Sequence, residues 1–159
     1  MSGSQYPPIY AGAFPDADTL QALAPMVAWK TAAATARTST TLVVDPDLQL
    51  ALVADATYDV TADVNYSGAG GLQFGWTLPS GVGGAYSAAF NLAGTGAGAY
   101  AYAWTATPAA AAADNGLRIG GTLWTGSSGG TLGFNWATGT SGDSVQTGAG
   151  CVLRAKRIA

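Results

Sequence analysis

Between Ala56 and Asn65 the chain alternates strictly: Tyr58, Val60, Ala62 and Val64 fall on one face, and Asp59, Thr61, Asp63 and Asn65 on the other. A period of two with β-branched and aromatic residues predicts a strand with one dry and one wet face. A helix would scatter the aspartates around its circumference. Related patterns run on both sides of it. Thr40–Val44 leads into a predicted turn at Asp45-Pro46-Asp47, followed by alternating Leu48, Leu50 and Leu52. Leu72, Phe74, Trp76 and Leu78 form the next inward face, and weaker strands are expected over Ala85–Leu92 and Ala99–Thr107. Ala109–Ala113 reads as a helical turn closed by Asp114-Asn115-Gly116. Leu117, Ile119 and Leu123, then Leu132, Phe134 and Trp136, predict a hairpin turning at Gly126–Gly130. A final strand covers Cys151–Ile158. Eight or nine short strands joined by Gly, Pro, Asp and Ser predict an all-β fold, a two-sheet sandwich of jelly-roll type.

Residues 1–37 read differently and are assigned to an N-terminal arm, with the sandwich over 38–159. Tyr6-Pro-Pro-Ile-Tyr10 is extended by its prolines, without periodicity. Asp16 caps a predicted short helix whose small apolar face is Leu20 and Leu23, and Pro25 ends it. So short a helix does not hold in isolation. Ordering each arm residue costs about 1–2 kcal/mol, so the arm requires a surface to dock on. Tyr6, Ile9, Tyr10, Phe14, Leu20 and Leu23 are the expected anchors.

Composition narrows the chemistry. Only 9% of the 159 residues are charged, every acid is Asp, there is no His, and the net charge is −3. That balance argues against a nucleic-acid partner, which needs a basic face. Three of the six cations, Arg154, Lys156 and Arg157, cluster near the end of the chain. They read as a solvated edge strand or, more sharply, as contacts to an acidic neighbour. Residues 64–113 carry no charge, but Gly pairs and prolines interrupt them, so no membrane span is expected. Met1-Ser-Gly-Ser-Gln has no basic start and no apolar run after it, so no secretory signal is expected.

Without His there is no Ser–His or Cys–His pair, and a single Cys makes no thiolate zinc site. Cys151 therefore reads as a small buried hydrophobe. Asp45/Asp47, Asp59/Asp63 and Asp16/Asp18 are the candidate carboxylate pairs for glycosidase-like or Ca²⁺ chemistry. Each also has a plain structural job in a turn, a wet strand face or a helix cap. Gly94-Thr-Gly96-Ala-Gly98 lacks the Lys and the strand-loop-helix setting of a phosphate loop. The sequence predicts no enzyme, cofactor or metal site.

The order of motifs carries a resemblance. Tyr10-Ala-Gly, Leu23-Ala-Pro25, Trp29-Lys30-Thr31, Arg37-Thr-Ser-Thr-Thr41, Asp45-Pro-Asp-Leu48 and Ala54-Asp-Ala-Thr-Tyr58 follow in sequence. Leu117-Arg-Ile-Gly-Gly-Thr-Leu123, Gly130-Thr-Leu-Gly-Phe-Asn-Trp136 and Val152-Leu-Arg complete the set. Together these resemble virion structural proteins of tailed phages that infect actinobacteria, described as minor tail, fibre-like or capsid-decoration proteins. The resemblance implies a β-sandwich head domain, usually trimeric, held to the particle through its N-terminal segment. With the apolar arm and the low-charge sandwich, the expected role is a capsid decoration protein on the outer surface of the virion that binds the major capsid protein and stabilises the shell. The alternative it leaves open is a tail-fibre or baseplate module for the host surface, with Tyr66 and Tyr86 as sugar platforms. Neither reading involves nucleic acid or membrane.

Overall fold

In the computed structural model, residues 24–92, 96–104, 110–111 and 116–159 are described. They form eleven strands and no helix: β1 (Met26–Trp29), β2 (Val43–Leu52), β3 (Thr57–Ser67), β4 (Leu72–Thr77), β5 (Gly83–Leu92), β6 (Gly96–Ala103), β7 (Ala110–Ala111), β8 (Gly116–Trp124), β9 (Gly130–Thr138), β10 (Gln146–Thr147) and β11 (Val152–Arg157). One sheet runs β1-β11-β3-β8-β5-β6, with β10 also on β3, and the other runs β2-β9-β4-β7. Every described pairing is antiparallel.

The eight strands β2–β9 therefore pair as one long rolled hairpin, β2 with β9, β3 with β8, β4 with β7 and β5 with β6. Rolling that hairpin gives the sheets β2-β9-β4-β7 and β3-β8-β5-β6, the jelly-roll order expected from the sequence. β11 and β1 extend the larger sheet beyond β3.

The organising strand behaves as its alternation dictates. Tyr58, Val60, Ala62, Val64 and Tyr66 are buried on one face of β3, while Asp59 and Asn65 are exposed on the other. Across the core the smaller sheet contributes Leu48, Leu50, Leu52, Leu72, Phe74, Leu132, Phe134 and Trp136. Phe74 and Phe134 stack with ring centroids 6.0 Å apart, and Trp76 meets Phe134 edge-on at 5.4 Å. Burying each such side chain contributes roughly 1.5–3 kcal/mol, which fixes the two layers face to face.

Four expectations are corrected. β8 and β9 do not form a hairpin: β8 pairs with β3 and β5, and β9 with β2 and β4, so the turn at Gly126–Gly130 crosses between sheets. Asp45-Pro46-Asp47 does not separate two strands. It is an irregularity inside β2, where the register with β9 slips between Val44 and Gln49, and a bulge tolerates the proline that a regular ladder would not. Ala110 and Ala111 pair with Gln73 and Leu72 as β7 rather than turning as a helix. Lastly, the sandwich reaches back past residue 38, because β1 pairs with β11 and Arg37 bridges to Val145. The predicted N-terminal helix and most of the predicted arm lie outside the described residues.

Candidate functional site

The chain leaves β1 at Lys30, whose backbone N–H donates to Cys151 O at 2.9 Å while its carbonyl accepts from Gly150 N at 2.8 Å. This clamp turns the side chain inward. Lys30 is 3% exposed, and its ammonium donates to both Asp45 oxygens at 2.9 and 3.0 Å and to Asp47 Oδ2 at 2.9 Å. The β2 irregularity is what turns Asp45 into the sandwich. There its carboxylate also accepts from Trp136 Nε1 at 2.9 Å, Thr147 Oγ1 at 3.3 Å and the Asp47 backbone N–H at 3.0 Å. A buried carboxylate with this many donors is fully satisfied, as a charge in low dielectric must be.

Arg37 closes the other end of the 30–37 segment. Its guanidinium lies 3.7 Å from the centroid of the Trp136 ring and donates to Val43 O at 2.7 Å and Trp136 O at 2.6 Å. Backbone bonds from Ala34 to Thr147 and between Arg37 and Val145 fasten the segment in between. Together Lys30 and Arg37 join the end of the larger sheet to β2 and β9 of the smaller one. Residues 30–37, Pro46 and Asp47 line a cleft of about 510 Å³ beside this junction.

Charge state decides what the cluster can do. Burial pulls the Lys30 ammonium down, but the hydrogen bonds and charges of Asp45 and Asp47 outweigh it, so its pKa lies above the usual 10.5. A lysine held protonated is a structural cation rather than a nucleophile. Burial lowers Arg37, partly offset by Asp45, and a guanidinium stays charged regardless. The cluster acts as an electrostatic staple between the sheets.

Of the predicted site residues, Tyr6, Ile9, Tyr10, Phe14, Leu20 and Leu23 lie outside the described residues, as does the Asp16/Asp18 pair. Arg154, Lys156 and Arg157 lie on β11, which β1 flanks from Val152 to Ala155. Arg154 therefore sits inside the sheet rather than on its edge, and Lys156 and Arg157 lie just past the end of β1. Arg154 meets Asp63 at 3.0 Å, an aspartate shared with Arg118 at 3.3 Å, and Lys156 stands opposite Asp59 in the ladder. The outer face of β1 adds Val27, 42% exposed, and Trp29, 60% exposed, with Val27 directly opposite Arg154.

Tyr66 and Tyr86 are buried strand residues rather than exposed loop aromatics, since their alternation places them on the inner face. Trp104 and Trp136 are core, Trp76 packs against it, and Trp29 and Trp124 are exposed. Trp76, Tyr86, Tyr102 and Trp104 form one aromatic cluster, with Tyr86 and Trp104 centroids 4.8 Å apart. Cys151 is buried, and burial pushes its thiol up, as befits a core residue. Among the described residues no group of three His, Cys, Asp or Glu is arranged to hold a metal ion. None contains a helix long and apolar enough to cross a membrane.

The sequence reading missed Lys30. Its available signal was a cation directly after an apolar strand, in a chain with six cations and an Asp-Pro-Asp step to receive it.

No family model matches the chain. No curated protein matches it either. Among solved structures, it is similar to a chain of the infectious bursal disease virus Gx strain at 9% identity, with a TM-score of 0.22. That alignment covers 86% of this chain and 36% of the viral one, so the chain spans about a third of its neighbour's length.

Proposed function

We propose that this protein is a structural component of a phage virion, a decoration protein that binds the outer surface of the assembled capsid and stabilises it. The observation that carries the reading is the surface at β1. In sequence, the apolar segment holding Tyr6, Ile9, Tyr10, Phe14, Leu20 and Leu23 leads into β1, whose exposed Val27 and Trp29 lie on the strand next to Arg154. An aromatic and aliphatic strip flanked by charge is the composition of a protein-docking patch.

The jelly roll is a frame used by viral capsid proteins, although it also serves lectins and cupins, so the frame alone does not choose. The described chemistry points the same way. The buried Asp45 is spent on Lys30, Trp136 and Thr147, and Asp63 on two arginines. Whatever binds only the assembled shell stabilises it by mass action, and clustering three copies, as the family resemblance implies, multiplies weak individual contacts.

Removing residues 1–25 tests the reading, because it leaves β1 and Lys30 in place. The truncated protein is expected to keep its far-ultraviolet circular dichroism and to lose co-sedimentation with empty shells. Saturation of shells by the truncated protein refutes attachment through this segment. Copy number per particle separates this reading from a tail or baseplate module: numbers comparable with the major capsid protein support decoration. Burial of Tyr66 and Tyr86 removes the aromatic platforms on which the host-surface alternative rested.

A further inference from the structure

The segment between Lys30 and Arg37 is fastened at three points and otherwise leaves its main chain unused. Lys30 and Arg37 are tied to Cys151, Gly150 and Val145, and Ala34 N–H donates to Thr147 O at 2.9 Å. That last bond is the one hydrogen bond of residues 31–36 among the described residues. Thr31, Ala32, Ala33, Thr35 and Ala36 are exposed, and their N–H and C=O groups meet no described partner. They line the cleft of about 510 Å³, with Pro46 and Asp47 of the β2 irregularity facing the same space. A concavity of this size, with a few placed polar groups, is the usual form of a ligand site.

The cleft carries one charge of each sign with binding capacity left over. Arg37 has five N–H donors. Two bonds from Nη1, to Val43 O and Trp136 O, and one from Nη2 to Val44 O account for three of them. The Nε–H and a second Nη2–H are left, the pair of nitrogens from which a guanidinium grips a carboxylate side-on. At the Lys30 end, Asp47 is held by its Oδ2 to the buried Lys30 ammonium at 2.9 Å, while its Oδ1 has no described partner. The staple thus fixes Asp47 in place and leaves one of its oxygens for a cation.

We infer that this cleft binds an extended peptide segment of a partner protein, which sets a carboxylate on the free donors of Arg37 and a basic group on Asp47. The main chain of the peptide supplies what the main chain of 31–36 lacks, as when a strand is added to an exposed edge. Ala32, Ala33 and Ala36 are small enough to let the two backbones approach. The charges at the two ends then set the direction and register of the bound segment.

Other ligand classes fit this lining less well. A sugar site would present an exposed aromatic face, and no lining residue is aromatic. A nucleic acid would need several free cations, and Arg37 is the one lining cation with donors to spare. From Lys30 to Arg37 the chain spans at most about 25 Å, so a bound strand of up to about seven residues matches it. The inference does not rest on the virion reading, and its test uses no particles, so the two stand or fall separately.

The probes are synthetic heptapeptides, blocked at both ends, each with one lysine and one glutamate separated by two to five residues in either order. Threonine and valine fill the other positions. They are titrated into the isotopically labelled whole chain and followed by amide chemical shifts. Members of the set are expected to shift residues 31–37 and Asp47 saturably. Exchanging their glutamate for glutamine should weaken binding by about tenfold or more, the loss of a charge-assisted contact. Asp47→Asn, at the half-exposed end, should weaken it about two- to fivefold. Arg37→Lys keeps the charge, loses the side-on grip and should match the glutamine result; the peptide exchange gives the same comparison without altering the protein. Absence of saturable shifts over 31–37 with every member at millimolar concentration overturns the inference. So does binding that ignores the glutamate, or equal shifts from sodium acetate at the same concentration, which mark a small-anion site. Shifts that arise on concentrating the protein alone also overturn it, because a second copy is then the occupant.

Discussion

Replacing Lys30 by methionine isolates the staple between the sheets. Lys30→Met keeps the length and apolar stem of the side chain but removes the one cation that bonds to Asp45 among the described residues, and the Asp45 side chain is 0% exposed. Trp136 Nε1, Thr147 Oγ1 and the Asp47 N–H still donate, so the carboxylate keeps hydrogen bonds and loses its counter-charge. Removing one partner of a buried ion pair typically destabilises by about 3–5 kcal/mol. Domains have roughly 5–15 kcal/mol in total, so the loss is a large share of it. In a chain of 159 residues this corresponds to a fall in Tm of about 6–20 °C. Urea unfolding followed by tryptophan fluorescence measures it. Asp47 is 51% exposed, and Asp47→Ala is expected to cost about 1 kcal/mol or less. Adding Asp45→Asn to Lys30→Met removes the uncompensated charge while keeping an acceptor for Trp136, so the double variant should recover part of the loss. If it is no more stable than Lys30→Met, the electrostatic account is wrong, and the lysine acts only by filling space.

Two neighbouring glycines should respond in opposite ways. A Cβ on Gly121 would strike Ala85 O and lie 2.7 Å from Tyr86 Cβ, so Gly121→Ala is expected to cost about 1–3 kcal/mol in urea unfolding. Gly120 has nothing within 4 Å, and Gly120→Ala should be neutral or stabilising by about 0.4–1 kcal/mol. On the alkaline side, burial raises Cys151 and Tyr86 above their usual 9.0 and 10.0, and the two aspartates raise Lys30 above 10.5. In each case the folded chain holds its proton more tightly than the unfolded one. The corresponding stability is present below the unfolded value and declines as pH rises through it. Thermal melts across alkaline pH should therefore decline from near pH 9 upward, and Cys151→Ala should flatten the first part of that decline.

The reach of sequence reading here follows from what a period of two encodes. It reports which face a side chain takes, and the inner residues of β3, β4 and β9 fall where their alternation puts them. It does not report which strand lies alongside. Leu117–Leu123 and Leu132–Trp136 read as partners because a tight turn between two apolar runs looks the same whether the chain doubles back in one sheet or steps across to the other. Asp45-Pro46-Asp47 has turn chemistry, and the Asp45 side chain does cap the Asp47 N–H, yet the strand resumes in the same direction beyond it. Arg154 looked like edge protection because nothing local reveals that β1, more than a hundred residues earlier, lies outside that part of β11. Lys30 was missed for the same reason, since its partners are set by a packing of two sheets that no local pattern contains.

The place of β11 between β1 and β3 has a consequence for how the molecule comes together. β1 has no neighbour in the larger sheet until β11 has been laid against β3, and Met26 must then find Ala155. Apart from the β5–β6 hairpin, most of the ladders join distant parts of the chain, a topology that assembles over milliseconds to seconds. Trp29 and the clamp at Lys30 thus take their final positions only once the rest of the larger sheet is complete. A half-made subunit does not display the finished β1 surface, so maturity is a condition of recognition by any partner that reads it.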